Sequence, residues 1–110
     1  MVKVRFRKEI KVEEIKERIK KYFKDKEKVE KVILFGSLAR GDYTIRSDID
    51  LVVIMESEEN FIYRGKNFQA DLNAIFPLDV ELFVYTPSEW ERMKDSFFRK
   101  RIEKEAIVIL

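Results

Sequence analysis

Two acidic residues, Asp48 and Asp50, stand at the start of an apolar run and are suited to binding a metal ion together. Side chains alternate across a strand, so both carboxylates project from one face, where they repel each other. Residues 51–54 are all apolar, which predicts a strand covered on both faces. No Lys or Arg lies within two residues of Asp50, and burying an unneutralised carboxylate is costly. Because carboxylates are hard oxygen donors, the pattern predicts a site for Mg²⁺ or Mn²⁺.

A Gly-Ser pair upstream of these acids is suited to holding phosphate. Residues 31–35 are predicted to form a short buried strand, and Gly36 permits a tight turn into a short helix that begins near Ser37. The free backbone N–H groups at such a turn, together with the Ser37 hydroxyl, are donors for a phosphate group. Arg40 follows about one helical turn later, and Gly41 is placed to end that turn with a positive φ. The alternative is that the pair forms only a turn with a small helix cap.

Two further acids, Asp79 and Glu81, lie in a segment predicted as a strand, residues 79–85. They share one face of that strand, and each could approach the Asp48 pair as a third metal ligand. The alternative for all of these acids is a strand face that simply points into solvent.

The combination of these motifs resembles a known family. Residues 34–54 read LFGSLARGDYTIRSDIDLVVI, in which ten residues separate Gly-Ser from Asp-apolar-Asp-apolar. This pattern resembles the nucleotidyltransferase superfamily that includes DNA polymerase β, and within it the stand-alone branch called minimal nucleotidyltransferases. Residues 80–87, VELFVYTP, are similar to the third-carboxylate strand and Thr-Pro helix start of that branch. Counting back five residues from Thr86 selects Glu81, where the branch usually has Asp. The resemblance covers residues 31–110.

The resemblance implies a nucleotidyltransferase, or polymerase β palm-like, fold and a two-metal transfer reaction. The carboxylates that it implies as catalytic and as ligands of Mg²⁺ or Mn²⁺ are Asp48, Asp50 and Glu81. The residues that it implies for binding ATP or another nucleoside triphosphate are Gly36, Ser37, Arg40 and Ser47, with Arg46 as a secondary candidate for neutralising phosphate. An acceptor hydroxyl would attack the α-phosphate, so that AMP is transferred and pyrophosphate is released.

The resemblance also indicates what kind of acceptor to expect. A chain with little beyond a nucleotide-binding core needs a partner to present the hydroxyl. Stand-alone members of the branch often work with a helical HEPN protein, as the antitoxin of a toxin–antitoxin pair that attaches AMP to it. One alternative is a catalytically inactive binding module that neutralises a partner by contact. Another is an adenylyltransferase of small molecules such as aminoglycosides, which normally requires an additional substrate domain.

The composition limits the other functional classes. The 110 residues suit a single domain, 1–110, and 45% of them are hydrophobic and can build a core. Charged residues make up 40% of the chain, but the net charge is only +2, so strong nucleic-acid binding is not implied. The sequence contains no Cys and no His, which excludes thiol nucleophiles, histidine acid–base catalysis and Cys/His zinc sites.

Composition also bears on source and compartment. One Gln and three Asn beside abundant Lys and Glu lean towards an organism that lives hot. No segment has the pattern of a signal peptide or the length of a membrane span. We therefore expect a cytoplasmic protein.

Hydrophobic spacing predicts an α/β fold, in which a mixed sheet of about four strands carries packed helices and the site lies at one edge of the strand ends. Residues 2–7 alternate apolar and basic residues and are either a short edge strand or an arm. Residues 106–110 are predicted to form a final buried strand.

Three amphipathic helices are predicted to pack on this sheet. One begins near Lys11, and a crossover helix spans residues 56–76, with Gly65 as a point where it can break. The third begins after Thr86, which is an expected N-cap before Pro87. The apolar positions of the three helices are, in order, Val12, Ile15, Ile19, Tyr22 and Phe23; Phe61, Phe68, Leu72, Ile75 and Phe76; and Trp90, Met93, Phe97 and Phe98.

Overall fold

A mixed four-stranded sheet with helices on both faces forms the described part of the chain. The computed structural model describes residues 11–44 and 46–110, so the strand or arm predicted at residues 2–7 lies outside the described residues. The strands are β1 (Val29–Phe35), β2 (Ile49–Met55), β3 (Val80–Tyr85) and β4 (Ile107–Val108). The helices are α1 (Val12–Phe23), α2 (Ser37–Arg40), α3 (Phe61–Arg64), α4 (Lys66–Ile75), α5 (Pro87–Arg92) and α6 (Phe97–Glu105). The predicted α/β fold class is confirmed.

The strand order β3-β2-β1-β4 brings the predicted site residues to one end of the sheet. Strand β1 runs antiparallel to β2 and β4, whereas β2 and β3 are parallel and are joined by a helical crossover, as parallel strands require. Phe35 lies opposite Asp50, and Asp50 lies opposite Glu81. The end of β1 therefore meets the starts of β2 and β3.

Each face of the sheet buries its own apolar cluster. One face packs on α1 and α4 through residues that include Ile19, Phe23, Leu34, Leu51 and Leu72. The other face packs on α5 and α6 through Ile33, Val52, Ile54, Trp90 and Ile102. Because successive strand residues alternate between faces, β2 needs apolar residues on both, and this explains the unbroken run at residues 51–54.

Helix α1 follows the predicted spacing. Its residues Ile15, Ile19 and Phe23 recur every four positions and are buried, which confirms the predicted apolar face. Glu13 and Glu14 in the first turn complement the positive end of the helix dipole. None of the helices in residues 11–44 and 46–110 is both long and apolar enough to cross a membrane.

The predicted crossover helix is interrupted. Instead of one helix over residues 56–76, α3 ends and α4 begins at Gly65. A Cβ on Gly65 would lie 2.9 Å from Cγ2 of Val84, so the glycine lets the crossover approach β3 closely. Phe61 and Ile75 are exposed by 43% and 38%, and their prediction as apolar-face residues was wrong. The break places Phe61 on a separate short helix, and Ile75 is the last residue of α4.

The helix predicted after Thr86 is also two helices. It begins as expected with a capping box, in which the Thr86 hydroxyl accepts the N–H of Glu89 and the Glu89 carboxylate accepts the N–H of Thr86. It ends after six residues, and Ser96 caps α6. Phe97 is 82% exposed, so its prediction as a core residue was wrong. It occupies the first turn of a new helix and does not continue the face of α5.

The strand predicted over residues 106–110 is shorter and more exposed than expected. Only Ile107–Val108 is a strand, and Val108 is 59% exposed at the outer edge of the sheet. Main-chain pairing continues beyond it, because the N–H of Ile109 donates to the carbonyl of Val32 at 2.8 Å. The final segment is an edge strand and not a buried one.

Side chains from the crossover cover the opposite edge of the sheet. The Arg64 guanidinium donates to the carbonyl of Val84 at 3.2 Å, and the Gln69 amide donates to the carbonyl of Val80. The N–H of Val80 donates to the side-chain oxygen of Asn73 at 3.3 Å. Outward-facing backbone groups of β3 are thus satisfied by side chains of α3 and α4.

Candidate active site

The strand register brings the predicted acids together. Asp50 and Glu81 are direct neighbours on parallel strands, which run about 4.8 Å apart. They share the face of the sheet that carries Val52 and Phe83, which pack against α5 and α6. This face is partly covered by helices and does not simply point into solvent. Asp48 is exposed and immediately precedes β2.

Asp79 takes a different position from Glu81. Its backbone carbonyl accepts the N–H of Ile49 at 2.9 Å, which aligns the starts of β2 and β3. The register partner of Asp50 is Glu81, one residue pair further along the sheet. The strand pairing therefore favours Glu81 over Asp79 as the third acid of the site.

The pKa of Asp50 is raised by its burial and by the neighbouring acids. Burial raises the pKa of its carboxyl from 3.8 to about 6, and the charges of Glu81, Asp48 and Glu105 add to the rise. The nearby guanidinium of Arg40 lowers the pKa but does not compensate. Negative charge is therefore in excess around Asp50, and a bound cation would relieve that excess.

The donor atoms of the site suit a divalent metal ion, but the side chains that carry them are not positioned to hold one. Asp48, Asp50 and Glu81 offer only carboxylate oxygens, the ligands that Mg²⁺ and Mn²⁺ prefer. Within residues 11–44 and 46–110, however, no three acidic side chains are gathered closely enough to hold an ion. The backbone brings the three acids to one end of the sheet, and their side chains would have to rotate to converge.

Gly36 connects β1 to α2 directly beside these acids. Its φ of +79° lies in the left-handed region, which favours glycine. A Cβ at this position would lie 2.2 Å from Oδ2 of Asp50, so no side chain fits between the turn and the carboxylate. Gly41 ends α2 with a φ of +93°, as the sequence predicted. Glycine at position 36 thus brings the backbone of the Gly-Ser turn against the acidic cluster.

Ser37 and Ser47 hold the two ends of the intervening loop together. The Ser37 hydroxyl donates to the Ser47 hydroxyl oxygen at 2.8 Å, which also accepts the N–H of Thr44 at 2.9 Å. Ser47 therefore fixes the orientation of the Ser37 hydroxyl. Arg46 is exposed, and its backbone N–H donates to the Thr44 hydroxyl at 3.1 Å.

A cavity of about 240 Å³ opens at this junction. The residues that line it are Phe35, Gly36, Ser37, Arg40, Asp50, Phe98, Arg101, Ile102 and Glu105. Four of the predicted site residues line it, whereas the other four do not: Asp48, Glu81, Ser47 and Arg46. A larger cavity of about 560 Å³ lies between the crossover and β3, and no predicted site residue lines it. Because predicted site residues line only the smaller of these two cavities, we take the smaller cavity as the candidate site.

Helix α6 contributes a residue that the sequence did not reveal. Oε2 of Glu105 accepts the N–H of Gly36 at 3.0 Å and a guanidinium N–H of Arg40 at 3.0 Å. Its side chain is only 13% exposed, and Nε of Arg101 lies 3.9 Å from Oε1. The one local signal was an acid at the last position of a helix, where the dipole favours a base.

The structure is thus an α/β protein in which acids at the starts of β2 and β3 lie beside a glycine turn at the end of β1. The model of the nucleotidyltransferase domain family matches residues 16–109. The chain belongs to this family. The match confirms the resemblance predicted from the Gly-Ser and Asp-Ile-Asp motifs, and it begins upstream of the region 31–110 assigned from sequence.

Relatives and solved structures agree with this assignment. A protein of Methanocaldococcus jannaschii, provisionally named a protein adenylyltransferase, is 50% identical over 100 residues, which are 89% of this chain and 94% of the relative. A second protein of that organism with the same provisional name is 28% identical over the same shares of the two chains.

Two solved structures have the same fold. The crystal structure of a toxin–antitoxin with AMP-PNP superposes with a TM-score of 0.64 at 23% identity, covering 86% of this chain and 72% of that one. A provisionally named nucleotidyltransferase of Sulfolobus solfataricus superposes with a TM-score of 0.57 at 22% identity, covering 98% and 86%. These similarities confirm the predicted polymerase β-like fold.

Proposed function

We propose that this protein transfers AMP from ATP to a hydroxyl group of a partner protein in a reaction that depends on divalent metal ions. The observation that carries the proposal is the position of Asp50, which lies beside Glu81 and against the Gly36 backbone. The provisional name of the 50% identical relative supports an adenylyl group, and the AMP-PNP in a structural neighbour supports a nucleoside triphosphate substrate.

The glycine turn would bind the triphosphate. The backbone N–H of Gly36 and the Arg40 guanidinium already hold one carboxylate oxygen between them, so their donors converge on a single anionic position. The Ser37 hydroxyl is fixed by Ser47 and adds a polar group to the cavity lining. Phosphate oxygens placed here would lie next to Asp50.

The acidic cluster would hold the metal and receive the acceptor. Asp48, Asp50 and Glu81 would hold one or two Mg²⁺ or Mn²⁺ ions, which when bound supply charge neutralisation for the phosphates and activation of the attacking oxygen. Glu81 is exposed, so its carboxylate can accept a hydrogen bond from an incoming hydroxyl. The new bond forms between that oxygen and the α-phosphorus while the bond to pyrophosphate breaks.

The acceptor would come from a partner, and we propose a helical HEPN protein with which this chain acts as an antitoxin. The structural neighbour from a toxin–antitoxin supports a partner of this kind. The competing proposal is a binding module of the same fold that neutralises its partner by contact without chemistry. It receives some support from the acidic side chains, which do not converge on a common point.

The deciding experiment compares ATP labelled on the α-phosphate with ATP labelled on the γ-phosphate. The protein is incubated with each nucleotide, with Mg²⁺ or Mn²⁺, and with a purified helical HEPN-type protein as the candidate acceptor. AMP transfer predicts α-label but no γ-label on the partner, and no transfer by Asp48→Asn or Asp50→Asn. Transfer of γ-label would indicate a kinase. If every version binds the partner without labelling it, the binding module is correct.

A further inference from the structure

The carboxylate of Glu105 occupies the anionic position of the proposed nucleotide site. Its Oε2 atom accepts hydrogen bonds from the Gly36 N–H and from a guanidinium N–H of Arg40, each at 3.0 Å. These are the two donors that would converge on phosphate. A single N–H donates its full hydrogen bond to one acceptor, so a phosphate oxygen and Glu105 compete for the same groups.

The location of Glu105 is unfavourable for an acid in two respects. It is the last residue of α6, where the helix dipole disfavours negative charge. Its charge also adds to the excess of negative charge around Asp50. Within the described residues, the contacts that offset these effects come from Gly36 and Arg40, with Arg101 at 3.9 Å from its other oxygen. The Gly36 N–H and the Arg40 guanidinium therefore offset a negative charge that the surroundings of Glu105 repel.

From this geometry we infer that Glu105 competes with the nucleotide: its carboxylate occupies the phosphate position and must leave it before a triphosphate binds. The inference rests on the proposed function, because it assigns Gly36 and Arg40 to the phosphates. Displaced from them, the carboxylate remains beside Arg101 on the same helix, one turn earlier. The contact keeps the site closed to weakly bound anions and sets a threshold for nucleotide binding.

The test measures anion affinity by calorimetry in wild type and in Glu105→Gln, a variant that keeps the size of the side chain and removes its charge. The probes are inorganic tripolyphosphate without metal and ATP with Mg²⁺. Glu105→Gln should bind both about tenfold more tightly, since hydrogen bonds to a charged group contribute on this order. The matched control is Glu103→Gln, which removes an exposed charge of the same helix that pairs with Arg99 and should leave both affinities unchanged.

Two further measurements separate direct competition from a general loss of negative charge. The gain in affinity should persist when NaCl is raised from 0.05 to 0.5 M, because contact competition is screened far less than attraction through solvent. Glu105→Ala, which also removes the acceptor atom, should bind at least as tightly as Glu105→Gln. It provides a second reading if the first variant folds poorly.

Equal or weaker binding by both Glu105 variants, beside measurable binding by wild type, would overturn the inference and leave the proposed function standing. A gain that disappears at 0.5 M NaCl would overturn it as well. If wild type and both variants bind neither probe at millimolar concentration, the proposed function itself fails and this inference falls with it.

Discussion

Replacing Asp50 with Asn should stabilise the metal-free protein at neutral pH. Burial and the charges of Glu81, Asp48 and Glu105 raise the pKa of Asp50 to about 6, against one favourable charge from Arg40. The folded state therefore holds its proton more tightly than the unfolded state does. As pH rises from about 4 to 6, the contribution of Asp50 to the free energy of unfolding falls, and above pH 6 its full penalty is present.

The size of the effect follows from the change in pKa. A rise from 3.8 to about 6 corresponds to about 3 kcal/mol for a group fully shielded from water, at about 1.4 kcal/mol for each pKa unit. Asp50 is only partly buried, so solvent screening reduces the expected gain in Asp50→Asn to about 1 kcal/mol. For a domain of this size we expect the melting temperature to rise by about 5 °C.

The assay is thermal unfolding in the presence of a chelator, between pH 4 and pH 7.5, for wild type and Asp50→Asn. The difference in melting temperature should be near its maximum at pH 7.5 and should vanish near pH 4, where the wild-type carboxyl is protonated. Asp25→Asn, which removes an exposed carboxylate in the turn after α1, is the control and should show no such pH dependence. A difference that is equal at both pH values, or a less stable Asp50→Asn at pH 7.5, would refute the reasoning.

Five further variants test the rest of the site and its support. Gly36→Ala should abolish ATP binding and lower the melting temperature, because a φ of +79° strains alanine and its Cβ would meet a carboxylate; calorimetry showing normal binding would contradict this. Glu81→Gln should abolish AMP transfer, Asp79→Asn should reduce it little and Glu81→Asp should retain it, and the reverse order in the labelling assay would make Asp79 the third ligand. Glu89→Gln should lower stability at pH 7 by about 1 kcal/mol, because its ion pair with Arg64 lowers the pKa of Glu89 to about 2. That loss should shrink as pH falls from 4.5 towards 2, so urea unfolding that shows the same loss at pH 3 would count against the ion pair.

Local patterns in the sequence predicted the parts of the fold that depend on local physics. The spacing of Ile15, Ile19 and Phe23 identified α1, and the apolar run at residues 51–54 identified a strand covered on both faces. The capping pattern at Thr86 identified the start of α5. Each of these features is encoded within one or two turns of chain.

The sequence predictions were wrong or incomplete where the local pattern allowed more than one structure and tertiary contacts decided between them. Phe97 has the spacing of a core residue if one helix continues from Pro87. The chain instead turns after α5 and a new helix begins after Ser96, which leaves Phe97 exposed. Glu105 was missed because its partner Gly36 lies 69 positions away, and no local pattern connects them. The pairing of Asp50 with Glu81 could be guessed only through the family resemblance, because strand register is a long-range property.

The side chains along the outer edge of β3 determine how another polypeptide can associate with this sheet. Strand addition, in which a foreign backbone extends the ladder, would have to break the bonds that Arg64, Gln69 and Asn73 make to β3. At the far edge, β4 offers a template of only two residues. Fibril-like stacking of copies through these edges of the described sheet is disfavoured for the same reason, while its side-chain surfaces remain available for recognition.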